Sequence, residues 1–224
     1  PMVLLFPEWL PGTHAPRGQI EKVAGLTIKA NGNSLEWRRD AQDVFAFHID
    51  VPKGAREIDV SFQFLSATEP DQGRVVVSPE IINLQWHSVS LYPAGWFTRR
   101  IPILASVTWP AGWKAATALR PASASGGTVN YQATDYETLV DSPVFAGKYS
   151  RIEQLGSNVT LNLFADEAKY LAATPEQLAP HKKLVEQAIN LFGMVPFDHY
   201  DFLVGLTDQI GSIGLEHHRS SENV

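Results

Sequence analysis

The strongest constraint on this chain is an alternation. In Glu57–Phe64 the apolar side chains Ile58, Val60, Phe62 and Phe64 take turns with Glu57, Asp59, Ser61 and Gln63. Successive side chains leave an extended strand on opposite faces, so a period of two marks a strand with one buried face. Phe45, Phe47, Ile49 and Val51 repeat the pattern, as do Ile82, Leu84 and Trp86, and then Ile103, Ala105, Val107 and Trp109. Turn signals separate the runs: Asn31-Gly32-Asn33, Pro52-Lys53-Gly54, Pro93-Ala94-Gly95 and Pro110-Ala111-Gly112. Many short strands with such punctuation predict a mainly β N-terminal domain, an antiparallel sandwich or saddle-like pair of sheets, over residues 1–145. Within it, 121–130 reads as a surface loop and Asp135–Leu139 as one helical turn, ended by Asp141-Ser142-Pro143.

From about residue 146 the pattern becomes mixed, and 146–224 reads as an α+β segment. Val159–Phe164 fits a strand. Thr174 then serves as N-cap, Pro175 as first helical residue and Gln177 as the closing member of a capping box. Leu184, Val185, Ala188, Ile189 and Phe192 fall on one helical face, and Gly193 fits the position past the end. Pro180 predicts a kink or restart. Tyr200–Leu206 returns to strand, and a loop leads to a last strand at Gly214–His217.

Composition removes several function classes. The 224 residues carry a net charge of −6 and no Lys/Arg stripe, which argues against nucleic-acid binding. With no cysteine there are no disulfides, no thiolate-bound zinc and no thiol catalysis. No apolar run reaches the roughly 18 residues of a membrane span. The start, Pro1–Phe6, lacks the basic region of a signal peptide and does not begin with Met, as a trimmed chain would. A bacterial-type soluble protein of the periplasm or the cytoplasm is the expectation.

Candidate chemistry is sparse. No His is followed by Glu, so the H-E-x-x-H zinc helix is absent. His217 and His218 are adjacent; on a strand they point to opposite faces and cannot hold one ion together. The other histidines stand apart and read as structural or solvent-facing. There is no G-x-S-x-G nucleophile elbow, and Gly126-Gly127 is not followed by a phosphate-binding Gly-Lys pair. Asn83, Gln85 and His87 read as the solvated face of a strand at 81–89. Core packing accounts for most of the six tryptophans. Glu216 remains, two residues after Gly214: a carboxylate on an edge strand can bind an ammonium group, and glycine lets a peptide backbone approach. The plainer reading of Glu216 is an ordinary surface residue.

Several segments, in order, carry a resemblance. "FPEWLPGTHAPRGQI" (6–20), "LEWRRD" (35–40), "YPAGW" (92–96), "WPAGWKAATAL" (109–119), "LVDSPVFAGKY" (139–149), "LFGMVPFDHYDFLVGL" (191–206) and "GSIGLEHHRS" (211–220) resemble landmarks of the glycyl aminopeptidase family, metallopeptidase family 61. The resemblance implies a fold similar to that of aminopeptidase N and leukotriene hydrolase. In that fold a β-rich N-terminal domain precedes a thermolysin-like zinc peptidase domain, which 146–224 would begin, and a PDZ domain usually follows. Gly214-Leu215-Glu216-His217 resembles the edge strand whose Glu binds the free α-amine of a peptide. Glu216 is thereby implied as substrate-binding, with Gly214 giving backbone access. Implied substrates are peptides with a free N-terminus and a small first residue, Gly or Ala.

Two departures stand out. Ile213 replaces the first of two glycines, and His218 is a second histidine to which the resemblance gives no role. The implied zinc ligands and H-E-x-x-H helix are not among these residues, so no metal site and no catalytic residue is expected within this chain, which is expected to be inactive alone. The alternative is a non-catalytic β-sandwich module that binds peptide or glycan on exposed tryptophans.

Overall fold

The computed structural model describes residues 1–224. Strands dominate, as the alternation predicts, and the chain forms two compact units whose segments interleave along the sequence. The first comprises 1–66, 85–102 and 135–140; the second comprises 67–84, 103–134 and 141–224.

The first unit is built from antiparallel sheets. Asp59–Phe64, the end of the alternating stretch, pairs with Val23–Ala30, which also pairs with Asn33–Leu35. A four-stranded sheet runs in the order Trp37–Arg39, Ala46–Ile49, Met2–Leu5, Tyr92–Pro93. Leu4, Phe6, Ile20, Ile28, Phe47 and Ile49 form its core, each contributing about 1.5–3 kcal/mol by burial. Between Phe6 and Gly18 the chain turns back on itself, and the backbone N–H groups of Arg17 and Gly18 both donate to the Glu8 carbonyl. A Cβ at Gly18 would lie 2.0 Å from the Pro7 carbonyl oxygen, so only glycine permits this crossing.

The second unit holds a five-stranded sheet in the order Tyr149–Gln154, Val159–Ala165, Tyr200–Leu206, Ser220–Asn223, Gly214–Glu216. The Val159–Ala165, Tyr200–Leu206 and Ser220–Asn223 strands are parallel; both outer pairings are antiparallel. A parallel pair needs a crossover connection, and the helix Pro175–Phe192 supplies the first one. Its capping box forms as the sequence predicts, and Gly193 closes it at φ 68°. The helix continues through Pro180 without a restart. Proline there is five positions from the start, where its missing N–H and ring disturb only the first turn.

One face of this sheet gathers Leu155, Val159 and Leu161, with Phe202 and Val204 packed against them, under Val185 of the helix. The other face brings Phe164 and Leu203 against Ile81, Ala116 and Phe145. Those three come from a second sheet, in the order Lys114–Ala116, Val144–Gly147, Ile81–Leu84. Val185 is the helix's only buried residue; Leu184, Leu191 and Phe192 stay exposed.

Three expectations need correction. Residues 121–130 are no loop: Pro121–Ser125 and Thr128–Tyr131 form an antiparallel hairpin. Gly126 (φ 58°) and Gly127 (φ 84°) make its two-residue turn, a pairing suited to the twist of the strands. Asn83 is not solvated but fully buried, because it shares a strand face with Ile81, and that face turns into the core with Phe164 and Leu203. Only Trp86 and Trp109 are core tryptophans; Trp9, Trp37 and Trp96 are exposed. No helix is long and apolar enough to cross a membrane.

Candidate functional site

Gly214 and Glu216 lie where the sequence puts them, on a strand, and that strand is the terminal one of the five-stranded sheet. Both residues are exposed, and a Cβ built on Gly214 meets nothing within 4 Å. Gly214, Leu215 and Glu216 face Asn223, Glu222 and Ser221 across the hairpin. Glu216 therefore shares a sheet face with Ser221. The phenol of Tyr200, on the next strand inward, bonds to Ser221 on this side. Burial raises the Tyr200 phenol; the bond to Ser221 opposes that shift, and the negative charges of Glu216 and Asp141 add to it.

His217 and His218 follow the strand, in the turn that leads to Ser220, and their side chains separate. His218 is exposed, whereas the His217 ring is enclosed. His217 Nδ1 lies 3.0 Å from Asp141 Oδ1, and Nε2 lies 3.0 Å from Glu222 Oε2. Burial disfavours its charged form, but the hydrogen bonds and charges of the two carboxylates outweigh this and push the imidazole up to about 9.

Glu222 is fully buried. Its Oε1 accepts from Asn83 Nδ2 at 2.6 Å. Asn83 Oδ1 accepts from Arg74 Nη1 at 2.6 Å, and Arg74 Nε donates to the Gly211 carbonyl at 2.9 Å. Arginine only donates and an ionised carboxylate only accepts, so the orientation of the Asn83 amide is dictated. Burial lowers the Arg74 guanidinium and Glu222 opposes the shift; arginine stays charged.

A second tie holds the hairpin's turn. Arg219 Nε donates to Asp198 Oδ1 at 2.6 Å, and His199 Nδ1 lies 3.1 Å from Asp198 Oδ2. Partial desolvation works against the Asp198 carboxylate, yet Arg219 and His199 hold it well below the ordinary range.

The sequence reading missed Asp141, Glu222, Asn83 and Arg74. Asp141 lies in the segment 139–149, where it reads only as part of a helix stop; the other three lie in no motif. Glu222 is the third residue of the polar strand Ser220–Asn223, and its neighbours give no signal of burial. No group of three or more His, Asp or Glu side chains is arranged to hold a metal ion. The His217 ring, the most enclosed candidate ligand, has both nitrogens committed to carboxylates. These residues do not fit a zinc site.

Residues 1–148 match the family described as the peptidase M61 N-terminal domain. No curated protein matches the chain. Among solved structures, an aminopeptidase N family protein from Idiomarina loihiensis superposes with a TM-score of 0.80 at 24% identity, over 99% of this chain and 37% of its own. A leukotriene A4 hydrolase from Saccharomyces cerevisiae superposes with a TM-score of 0.52 at 12% identity, over 90% of this chain and 33% of its own. At these identities the likeness is one of fold. The chain spans about a third of the solved structures it matches.

Proposed function

Because this chain belongs to the peptidase M61 family, we propose that it forms the N-terminal part of a zinc-dependent aminopeptidase that removes small first residues, Gly or Ala, from peptides. In this reading the catalytic domain begins near residue 146. Glu216 grips the protonated α-amine of the substrate, and Gly214 leaves room for its backbone.

The observation that carries the reading is the position of Glu216: an exposed carboxylate on the terminal strand of a sheet, two residues from an unobstructed glycine. A terminal strand offers unpaired backbone groups to which an extended peptide can add. Magnitudes limit what Glu216 does alone. A solvent-exposed ion pair contributes about 0–1 kcal/mol. Effective anchoring therefore needs further polypeptide over the site, where a lower dielectric strengthens the attraction severalfold. The anchor positions the scissile bond and performs no bond-breaking step. The side chains present do not fit zinc, so the hydrolytic step is not assigned to this chain, and the 224 residues alone are inactive in this reading.

The test compares Glu216→Gln with wild type in the full-length parent, on alanyl- and glycyl-p-nitroanilide. The expected result is a KM at least about tenfold higher, a loss of about 1.4 kcal/mol of binding. An unchanged KM overturns the anchor. One equivalent of zinc and turnover by the 224-residue chain overturn its assignment as a non-catalytic part.

The exposure of Trp9 (65%) and Trp96 (63%) favours a second reading, a peptide- or glycan-binding module. Binding to an oligosaccharide array that disappears in Trp96→Ala would support it over the first.

A further inference from the structure

Behind the edge strand the buried side chains Asn83, His217 and Glu222 join the half-buried Arg74 and Asp141 in an unbroken series of alternating charge: Arg74, then Glu222 through Asn83, then His217, then Asp141. We propose that these five side chains act as one clamp that fixes the Gly214–Glu216 strand in place, which makes His217 and Glu222 positioning residues for Glu216. The functional half of this inference rests on Glu216 as the amine anchor; the structural half does not.

The geometry requires a charged imidazole. Both ring nitrogens of His217 face carboxylate oxygens at 3.0 Å. A carboxylate offers only acceptors, so a neutral ring would set one bare nitrogen against an anionic oxygen in a buried site. Only the imidazolium satisfies both contacts. The groups that face it are Asp141, which follows the short helix Tyr136–Val140, and Glu222 on the neighbouring strand; Arg74 backs Glu222, and Tyr200 senses both Asp141 and Glu216. Two cations thus balance two anions.

The ends of the clamp show what it holds. At one end Arg74 Nε fixes the Gly211 carbonyl, and Gly211 N–H donates to Val75. At the other, Asp141 Oδ2 accepts the His218 N–H at 3.0 Å. Gly211 and His218 bracket the edge strand from either side. That strand has only three residues and pairs on one side alone, too little to hold a unique position by itself. Buried ion pairs add little net stability but restrict alternatives.

The test uses amide hydrogen exchange and nitrogen-15 NMR on the 224-residue chain. In wild type at neutral pH, both His217 ring nitrogens should be protonated and the Leu215 amide protected. From about pH 8 to 10, after correction for intrinsic exchange, that amide should lose about tenfold in protection while Glu153, which pairs with Leu161 from the opposite edge strand, holds. Glu222→Gln should bring the same loss at neutral pH and a lower His217 titration midpoint; the double variant His217→Gln/Glu222→Gln, which removes one cation and one anion, should fold and show the loss without pH dependence. A neutral His217 tautomer at neutral pH, or Leu215 protection that ignores both pH and substitution, overturns the clamp. Should the variants fail to fold, the wild-type titration still decides. In the full-length parent, Glu222→Gln should raise KM for free-amine substrates with little change in kcat. If Glu216→Gln there leaves KM unchanged while Leu215 still responds, the anchor reading fails and the clamp stands.

Discussion

His217 Nε2 and Glu222 Oε2 lie 3.0 Å apart, and neither side chain reaches solvent. The pair closes a three-residue strand onto its neighbour by charge and not by apolar burial, with consequences for stability at high pH and under mutation.

The pH dependence follows from the raised imidazole. Its ordinary value is 6.5 and its folded value about 9. The folded state binds the proton more tightly, so the stabilisation is complete below pH 6.5, declines above it, and is lost once pH passes about 9. Urea midpoints at about pH 6 and pH 9.5 should therefore differ in wild type, with the acidic midpoint higher, and this difference should shrink in His217→Gln.

Removing both members of the pair should cost less than the two single removals added together. Glu222→Met leaves a buried imidazolium short of a partner, and such losses run to about 3–5 kcal/mol. Adding His217→Leu removes the orphaned charge. Equilibrium unfolding should show the double variant less destabilised than the sum of the singles by about 0.5–3 kcal/mol.

Two glycines offer a paired control. A Cβ at Gly147 would stand 2.8 Å from the Glu80 carbonyl oxygen, in a strand buried along its whole length. Gly147→Ala should lower stability by about 1–3 kcal/mol. Gly214 has open space around it, so Gly214→Ala should leave thermal unfolding nearly unchanged. A fall in peptide affinity of the parent on that substitution would then report on binding alone.

The helix Pro175–Phe192 depends on its cap, since Val185 is the only residue it buries. Thr174→Ala should weaken it by about 1 kcal/mol. Hydrogen exchange should show the loss within the helix, with the Tyr200–Leu206 strand unaffected.

Leu184, Leu191, Phe192 and Met194 leave apolar surface exposed on the second half of that helix and the turn after it, and surface of this kind promotes association. Sedimentation should show concentration-dependent self-association of the chain, reduced in Leu191→Lys/Phe192→Lys at unchanged thermal stability.

What the sequence made legible was local. Thr174, Pro175, Gln177 and Gly193 define the helix ends because caps act over three or four residues. The alternation at 57–64 marks its strand because one face is drier than the other. The Pro121–Ser125 strand was hidden for the opposite reason. All five of its residues are exposed, so no apolar period betrays it, and the Gly126-Gly127 turn was the only clue. For the candidate site, Gly214 and Glu216 could be placed on an edge strand from their surroundings. Glu222 could not, because nothing near it in the chain explains a buried carboxylate. Its partner Asn83, and Arg74 and Asp141 further along the series, come from other parts of the chain.

Asn83 and Glu222 stand 139 residues apart in the chain. At a synthesis rate of about 5–20 residues per second, Asn83 leaves the ribosome roughly 7–28 s ahead of its acceptor. Through that interval its carboxamide has no protein anion to bond and must remain wet, along with the strand that carries it. The first unit, complete by residue 140, can settle early, while the second must wait until Glu222 has been made. A nascent chain stalled shortly before Glu222 would thus carry one finished half and one half still open to proteases and chaperones.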